Sequence, residues 1–296
     1  MTLDEYQIEA TKTDKQGGID KEGILVPLLG LAGEVGSLLT LYKKWLRDGD
    51  SSQIVGERIG DELGDILWYL ATAARLGGIN LSDIAERNLQ KTRARWLPQE
   101  TSPQLFDEGF PITEQLPREF VAEIRDYDEG DKKRTELIIS GAQVGNHLTN
   151  NAYTDDGYRF HDVFHLSYAV LLGWSPVLRA NLHVKRKSNP KADEIEDGGR
   201  AVAIEEGICA LLFSYAQEHS FLEGVSVVDW SVLRTCQEMA AHLEVATRTL
   251  YEWEQAILCG YRVWRAVKDA RGGTIKCNLA DRGFTYSKSA LIVSTA

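Results

Sequence analysis

Two segments near the N-terminus place carboxylates among apolar residues. They are Gly33-Glu34-Val35-Gly36-Ser37-Leu38-Leu39 and Asp61-Glu62-Leu63-Gly64-Asp65-Ile66-Leu67-Trp68-Tyr69-Leu70. A carboxylate on an apolar helix is costly to bury unless it is paired or binds a cation. Glu62 and Asp65 stand three apart and so project from one helical face. Glu34 belongs to the preceding segment. If the two helices face each other, three hard oxygen ligands meet, a set that suits Mg²⁺ bound together with substrate phosphates. Such an ion polarises a phosphoryl oxygen and orients an attacking water. Lys43, Lys44, Lys91, Arg93 and Arg95 supply charge for a triphosphate. The plainer alternative is an acid pair on a solvated helix face. Glycines 33, 36, 60 and 64 cost about 1 kcal/mol each in a helix interior relative to alanine. Small residues there permit a close approach of helix or ligand.

A second polar cluster lies in the C-terminal half. Arg159, His161, Asp162 and His165 fall within two helical turns, and Glu205-Glu206 follow on a later apolar segment. One reading joins Asp162, His165, Glu205 and Glu206 into a second metal or phosphate site. The other is buried hydrogen bonding beside a solvated acidic loop. The His161-Asp162 doublet alone is weak support for an HD-type phosphohydrolase.

The elements that must hold these groups read as helices. Leu25, Leu28, Leu29, Ala32, Val35, Leu38 and Leu39 recur at helical spacing, as do Ile59, Leu63, Ile66, Leu67 and Leu70. Asn80-Leu81-Ser82-Asp83 reads as a helix start, with a helix running to Trp96. Four of the seven prolines, Pro98, Pro103, Pro111 and Pro117, mark 98–117 as a linker between units 1–97 and 118–296. Helices are expected at 118–126, 133–150, 158–173, 176–186, 200–218, 230–242 and 246–268. The aromatic residues of the last of these read as core. The final twenty residues give no signal. Residues 33–40 and 62–70 also match 142–149 and 159–167, which suggests an internal repeat with eroded acids. The expected fold is therefore all-α, with tandem helical bundles.

The net charge of −11 disfavours a long nucleic acid as partner. It leaves room for a small nucleotide. The four cysteines, Cys209, Cys236, Cys259 and Cys277, have no zinc or redox spacing and read as reduced core thiols. The N-terminus is acidic and polar, unlike a signal peptide. No apolar run is expected to approach the roughly 20 residues of a membrane helix. The expected setting is cytoplasmic, without a membrane partner.

The N-terminal unit resembles the MazG-like, all-α nucleoside triphosphate pyrophosphohydrolases. The resemblance runs through Tyr6-Gln7, Gly30-Leu31-Ala32-Gly33-Glu34-Val35-Gly36, Lys43-Lys44, Glu62 to Leu70, Asn88-Leu89-Gln90-Lys91 and Arg95-Trp96, in order over nearly all of 1–97. It implies hydrolysis between the α and β phosphates, giving a monophosphate and pyrophosphate. It implies Mg²⁺, with Mn²⁺ as the alternative, on Glu34, Glu62 and Asp65. Lys43, Lys44, Lys91 and Arg95 would contact phosphates, and Asn88 would line the site. The family pattern carries an acid three residues after Glu34, where this chain has the neutral, weaker ligand Ser37. The resemblance also implies a homodimer, or an intramolecular pseudo-dimer if the C-terminal half is a degenerate second copy. Two other readings stay open: a non-catalytic nucleotide-binding or regulatory module, and a phosphohydrolase centred in the C-terminal half.

Overall fold

A computed structural model describes residues 1–15, 23–49, 52–98 and 104–288. The chain divides into two units, Met1–Arg93 and Ala94–Ala296. In the first, α1 spans Leu3–Thr11, α2 Leu25–Asp48, α3 Ser52–Leu76 and α4 Leu81–Trp96. Thr2 and Glu5 form a capping box at the start of α1. Polar side chains then tie α1 to the turn between α3 and α4. Gln7 donates to Ile79 O and accepts from Leu81 N, both at 3.0 Å. The Asp4 carboxylate accepts from the Ser82 amide and hydroxyl, at 3.1 and 2.6 Å. Ala10, Ala71, Ala74 and Leu81 form a small core flanked by Tyr6 and Trp68.

Helices α2 and α3 pack against each other, and only residues 49–51 separate them, so they run antiparallel. α2 buries little: Pro27 is its one buried residue, while Leu29, Leu39 and Leu46 are each more than 60% exposed. By length and composition α2 is long and apolar enough to cross a membrane. This corrects the expectation that no apolar run reaches that length.

The second unit is not all-α. Five antiparallel strands form a sheet in the order β3-β2-β1-β4-β5: β1 Glu119–Glu129, β2 Lys132–Ile139, β3 Ala142–Leu148, β4 Gly272–Asn278 and β5 Gly283–Ser287. The helices expected at 118–126 and 133–150 are thus strands; β4 begins in the unassigned stretch after 268, and the unsignalled final twenty residues hold its end and β5. Phe120, Ala122 and Ile124 are buried at alternate positions, as are Thr135, Leu137 and Ile139. This is the period of a half-buried strand. Residues 142–149, matched in sequence to a stretch of α2, fall on β3 and the residues that follow it. The apparent repeat therefore does not extend to structure there, and the expected tandem of helical bundles gives way to a helical unit followed by an α+β unit.

The helices of this unit are α5 Asp162–Leu171, α6 Pro176–Asn181, α7 Pro190–Ile195, α8 Gly199–Glu218, α9 Trp230–Met239 and α10 Leu250–Ala270. α5 is the central one, buried from Asp162 to Val170. It packs on α10, whose Trp253, Tyr261 and Trp264 are core residues. Gly260 permits that approach, since a Cβ there would lie 3.2 Å from Ser167 Oγ. Cys209, Cys236 and Cys277 are buried and free.

Residues 104–117 belong to this packing. Leu105 and Leu116 join the core, and Asp107 is 1% exposed. Its carboxylate accepts from Leu116 N (2.8 Å), Arg118 Nη1 (2.7 Å) and Arg179 Nη2 (2.6 Å). Burial pushes the Asp107 carboxyl up. The Arg179 charge and these hydrogen bonds outweigh that, so it sits below the usual carboxylate range. Next to it, the buried Arg186 is clamped by Asp197 and Glu244, each at 2.7 Å.

Candidate functional site

The acids of the N-terminal unit lie on the paired helices α2 and α3. Gly30 sets their crossing: a Cβ there would come within 2.2 Å of the Tyr69 ring. In an antiparallel pair, one turn forward on α2 and one turn back on α3, about 6 Å each, stay level. Glu34, four residues after Gly30, and Asp65, four residues before Tyr69, therefore lie on the same side of that contact. Ser37 and Leu38 on α2 and Glu62 on α3 lie one turn further from it. Glu34 and Glu62 are half-buried and Asp65 is exposed. Among the described residues, none of the three carboxylates makes a hydrogen bond or ion pair.

The three acids do not form a closed cluster. Among the described residues, the one group of three or more potential ligands whose atoms all lie within 4.8 Å is elsewhere, at His161, His165 and Glu206. Lys43 and Lys44 are exposed on α2, as are Asn88 and Lys91 on α4. No hydrogen bond or ion pair joins them to the acids. Arg95 departs from the expected phosphate contact. It is 5% exposed, donates to Val228 O at 3.1 Å and pairs with Glu254 at 3.1 Å, so its charge is already committed.

The C-terminal cluster is partly as expected. α5 carries Asp162 and His165, and α8 carries Glu205 and Glu206. Glu205, expected as a ligand, is fully buried and fully used. It accepts from Ser175 Oγ (2.7 Å) and Val177 N (2.8 Å) and lies 2.8 Å from His165 Nδ1. It therefore orients His165 from behind. Asp162 stands outside the cluster, and burial pushes its carboxyl up, which favours the neutral acid. His161 takes its place. Its Nδ1 lies 2.9 Å from Tyr158 O and its ring stacks on Tyr158 with centroids 4.5 Å apart. Burial lowers the His161 pKa, which favours the uncharged ring. Burial opposes charge on His165, while the Glu205 carboxylate 2.8 Å from its Nδ1 favours it. The sequence signal for His161 was its four-residue spacing from His165, one helical turn.

Comparison with known proteins agrees with this division. Residues 28–97 match the MazG nucleotide pyrophosphohydrolase domain. Residues 101–290 match the MazG C-terminal domain. The chain is also similar to the Gene 37 protein of Mycobacterium phage L5, 38% identical over 101 residues, covering 32% of this chain and 89% of that protein. No solved structure matches the chain. With the helical pyrophosphohydrolase domain in front and the distinct C-terminal domain spanning most of the rest, the chain belongs to the MazG family.

Proposed function

We propose that this protein hydrolyses a nucleoside triphosphate, or a related nucleotide, between the α and β phosphates, releasing the monophosphate and pyrophosphate. The observation that carries this reading is the placement of Glu34, Glu62 and Asp65 at neighbouring levels of α2 and α3, unpaired, within a MazG pyrophosphohydrolase domain. Unpaired acids on two packed helices repel one another and favour a cation between them.

Three carboxylates are a hard-oxygen donor set and fit Mg²⁺ or Mn²⁺. Glu34, Glu62 and Asp65 would hold the ion, which supplies charge stabilisation to the phosphoryl oxygens when bound. Glu34, half-buried on the opposite helix from the other two, would position the attacking water and accept its proton. Lys43 and Lys44, with Lys91 and Asn88 from α4, would bind the outer phosphates. Arg95 is left out of this set because it is paired with Glu254. Ser37, three residues after Glu34, leaves the site one carboxylate short of the family pattern and lowers its affinity for the ion.

A second copy of the chain is the proposed partner of α2. Leu29, Leu39 and Leu46 are large apolar side chains left more than 60% exposed on α2, which a second copy would cover. Light scattering that gives the mass of one chain at working concentration would contradict this. Neither a long nucleic acid nor a membrane enters the proposal, and its setting is cytoplasmic.

The test is pyrophosphate release from a panel of nucleoside triphosphates with Mg²⁺, comparing the natural chain with Glu62→Gln and Glu206→Gln. Loss in Glu62→Gln alone is expected. Loss in Glu206→Gln alone would move the reaction to the C-terminal domain. No release from any substrate would leave a nucleotide-binding module as the better reading.

A further inference from the structure

We propose that the C-terminal domain carries a second, independent metal site, formed by His161, His165 and Glu206 and suited to a late first-row divalent cation, with Zn²⁺ the best match. His165 Nε2 lies 3.5 Å from Glu206 Oε1, and His161 Nε2 lies 3.9 Å from Glu206 Oε2. Ligands held about 2.0–2.1 Å from a tetrahedral zinc are about 3.3 Å apart. The two observed gaps exceed that by about 0.2 and 0.6 Å, and the three ligand atoms all lie within 4.8 Å of one another, so side-chain rotation closes the set around an ion.

The ring orientations point the same way. Tyr158 O can only accept, so His161 Nδ1 carries a hydrogen and a neutral His161 ring leaves its Nε2 lone pair free. His165 Nδ1 faces the buried Glu205 carboxylate, which likewise fixes a hydrogen on that nitrogen. Both rings are therefore held through Nδ1 with Nε2 converging on one point, the carboxylate-histidine-metal arrangement of outer-shell support. Glu205 is itself locked by Ser175 Oγ and Val177 N, so His165 cannot readily turn away.

An independent observation marks that point as unfinished. His165 Nε2 is buried and has no hydrogen-bond partner among the described residues. Its side chain is 2% exposed, and the 3.5 Å approach of Glu206 is too long or misaligned to satisfy it. A buried polar atom left so has lost its hydration without gaining a partner. A cation between the two rings and Glu206 supplies one.

Two imidazoles and one carboxylate select Zn²⁺ and its neighbours over Mg²⁺, which prefers oxygen. Glu206 is 42% exposed, so solvent reaches its edge of the site, and water or an anionic ligand can complete the coordination there. This site shares no residue with the N-terminal acids and stands whether or not they catalyse.

The test is calorimetric titration of the chelator-treated full chain with Zn²⁺ in excess Mg²⁺, with Co²⁺ absorption as the report on ligand type. One Zn²⁺ per chain is expected, and a Co²⁺ spectrum of low-coordinate nitrogen and oxygen ligation. His161→Ala and Glu206→Gln should each weaken Zn²⁺ by at least about 100-fold, and Glu205→Gln by about 10–100-fold. Glu206 is half exposed, so Glu206→Gln should keep the natural unfolding temperature without metal, which separates loss of binding from loss of fold. Asp65→Asn should bind Zn²⁺ as the natural chain does. Failure of the natural chain to take up Zn²⁺, undiminished binding in His161→Ala and Glu206→Gln, or loss of binding in Asp65→Asn would each overturn the proposal.

Discussion

Asp107→Asn tests how residues 104–117 are held to the C-terminal domain. The Asp107 side chain is 2% exposed and so is that of its partner Arg179, so the pair is shielded from solvent. Removing one charge of a buried pair costs about 3–5 kcal/mol, because the other is left uncompensated. Asparagine keeps one oxygen for Leu116 N. Arg179 retains Glu114 O at 3.0 Å and Asp197 at 3.7 Å. Arg118 is 29% exposed and can rehydrate. These place the cost at the low end, about 3 kcal/mol. The assay is urea unfolding of the full chain, following the tryptophans buried in this domain, with the slope checked for a constant unfolding unit.

The pH dependence gives a second check on the same change. The Asp107 carboxyl lies below its ordinary value in the folded chain. Its stabilisation is therefore fully present above its unfolded pKa of about 3.9, and is lost as the pH falls through the lower folded value. The gap between natural chain and variant should be constant near neutrality and narrow below about pH 4. Adding Arg179→Met should recover much of the loss, since replacing both partners avoids a lone buried charge. A cost under about 1 kcal/mol, or a double variant worse than the single one, would refute the reasoning.

Gly30→Ala gains up to about 1 kcal/mol of helix propensity but meets the Tyr69 ring, and overpacking costs about 1–3 kcal/mol. Thermal unfolding should show a net loss. Pyrophosphate release should fall by about 100-fold if the acids shift by an ångström. Tyr69→Leu on the same background should restore stability, and a stabilised, fully active single variant would contradict the register. Thr249→Ala removes the cap of α10, where Thr249 Oγ1 accepts from Glu252 N at 3.2 Å. It should cost about 1 kcal/mol, read as a lowering of about 2–4 °C in the midpoint.

Helices α2, α3 and α4 were legible because each runs long enough for the 3.6-residue period to separate from any other, whereas the nine-residue α1 gave no such period. β1 was not legible either. Phe120 and Ile124 stand four apart, a spacing that one helical face and one strand face share, and only the small Ala122 between them distinguishes the two. β4 was hidden by its glycines. A Cβ on Gly272 would lie 2.5 Å from Ile124 O, so the glycine that breaks the strand pattern marks a close approach of β4 to β1. In the C-terminal cluster the histidine spacing was visible. The division of labour between Glu205 and Glu206 was not, because adjacent residues on a helix point about 100° apart and only the packed core decides which of them turns inward. The commitment of Arg95 to Glu254 depends on a partner 159 positions away, beyond any local pattern.

The strand order has a consequence for how the protein is made. β1 sits at the centre of the sheet, with β2 on one side and β4 on the other. Its hairpin with β2 can close as soon as both leave the ribosome. Its other edge must wait, since Asn278 is 159 positions beyond its neighbour Glu119. At about 5–20 residues per second, that is a delay of roughly 8–30 s. Through that interval a central strand is exposed as an edge. The exposed Glu119 and Arg125 and the half-buried Glu123 along it are charges of the kind that discourage a neighbouring nascent chain from pairing there first.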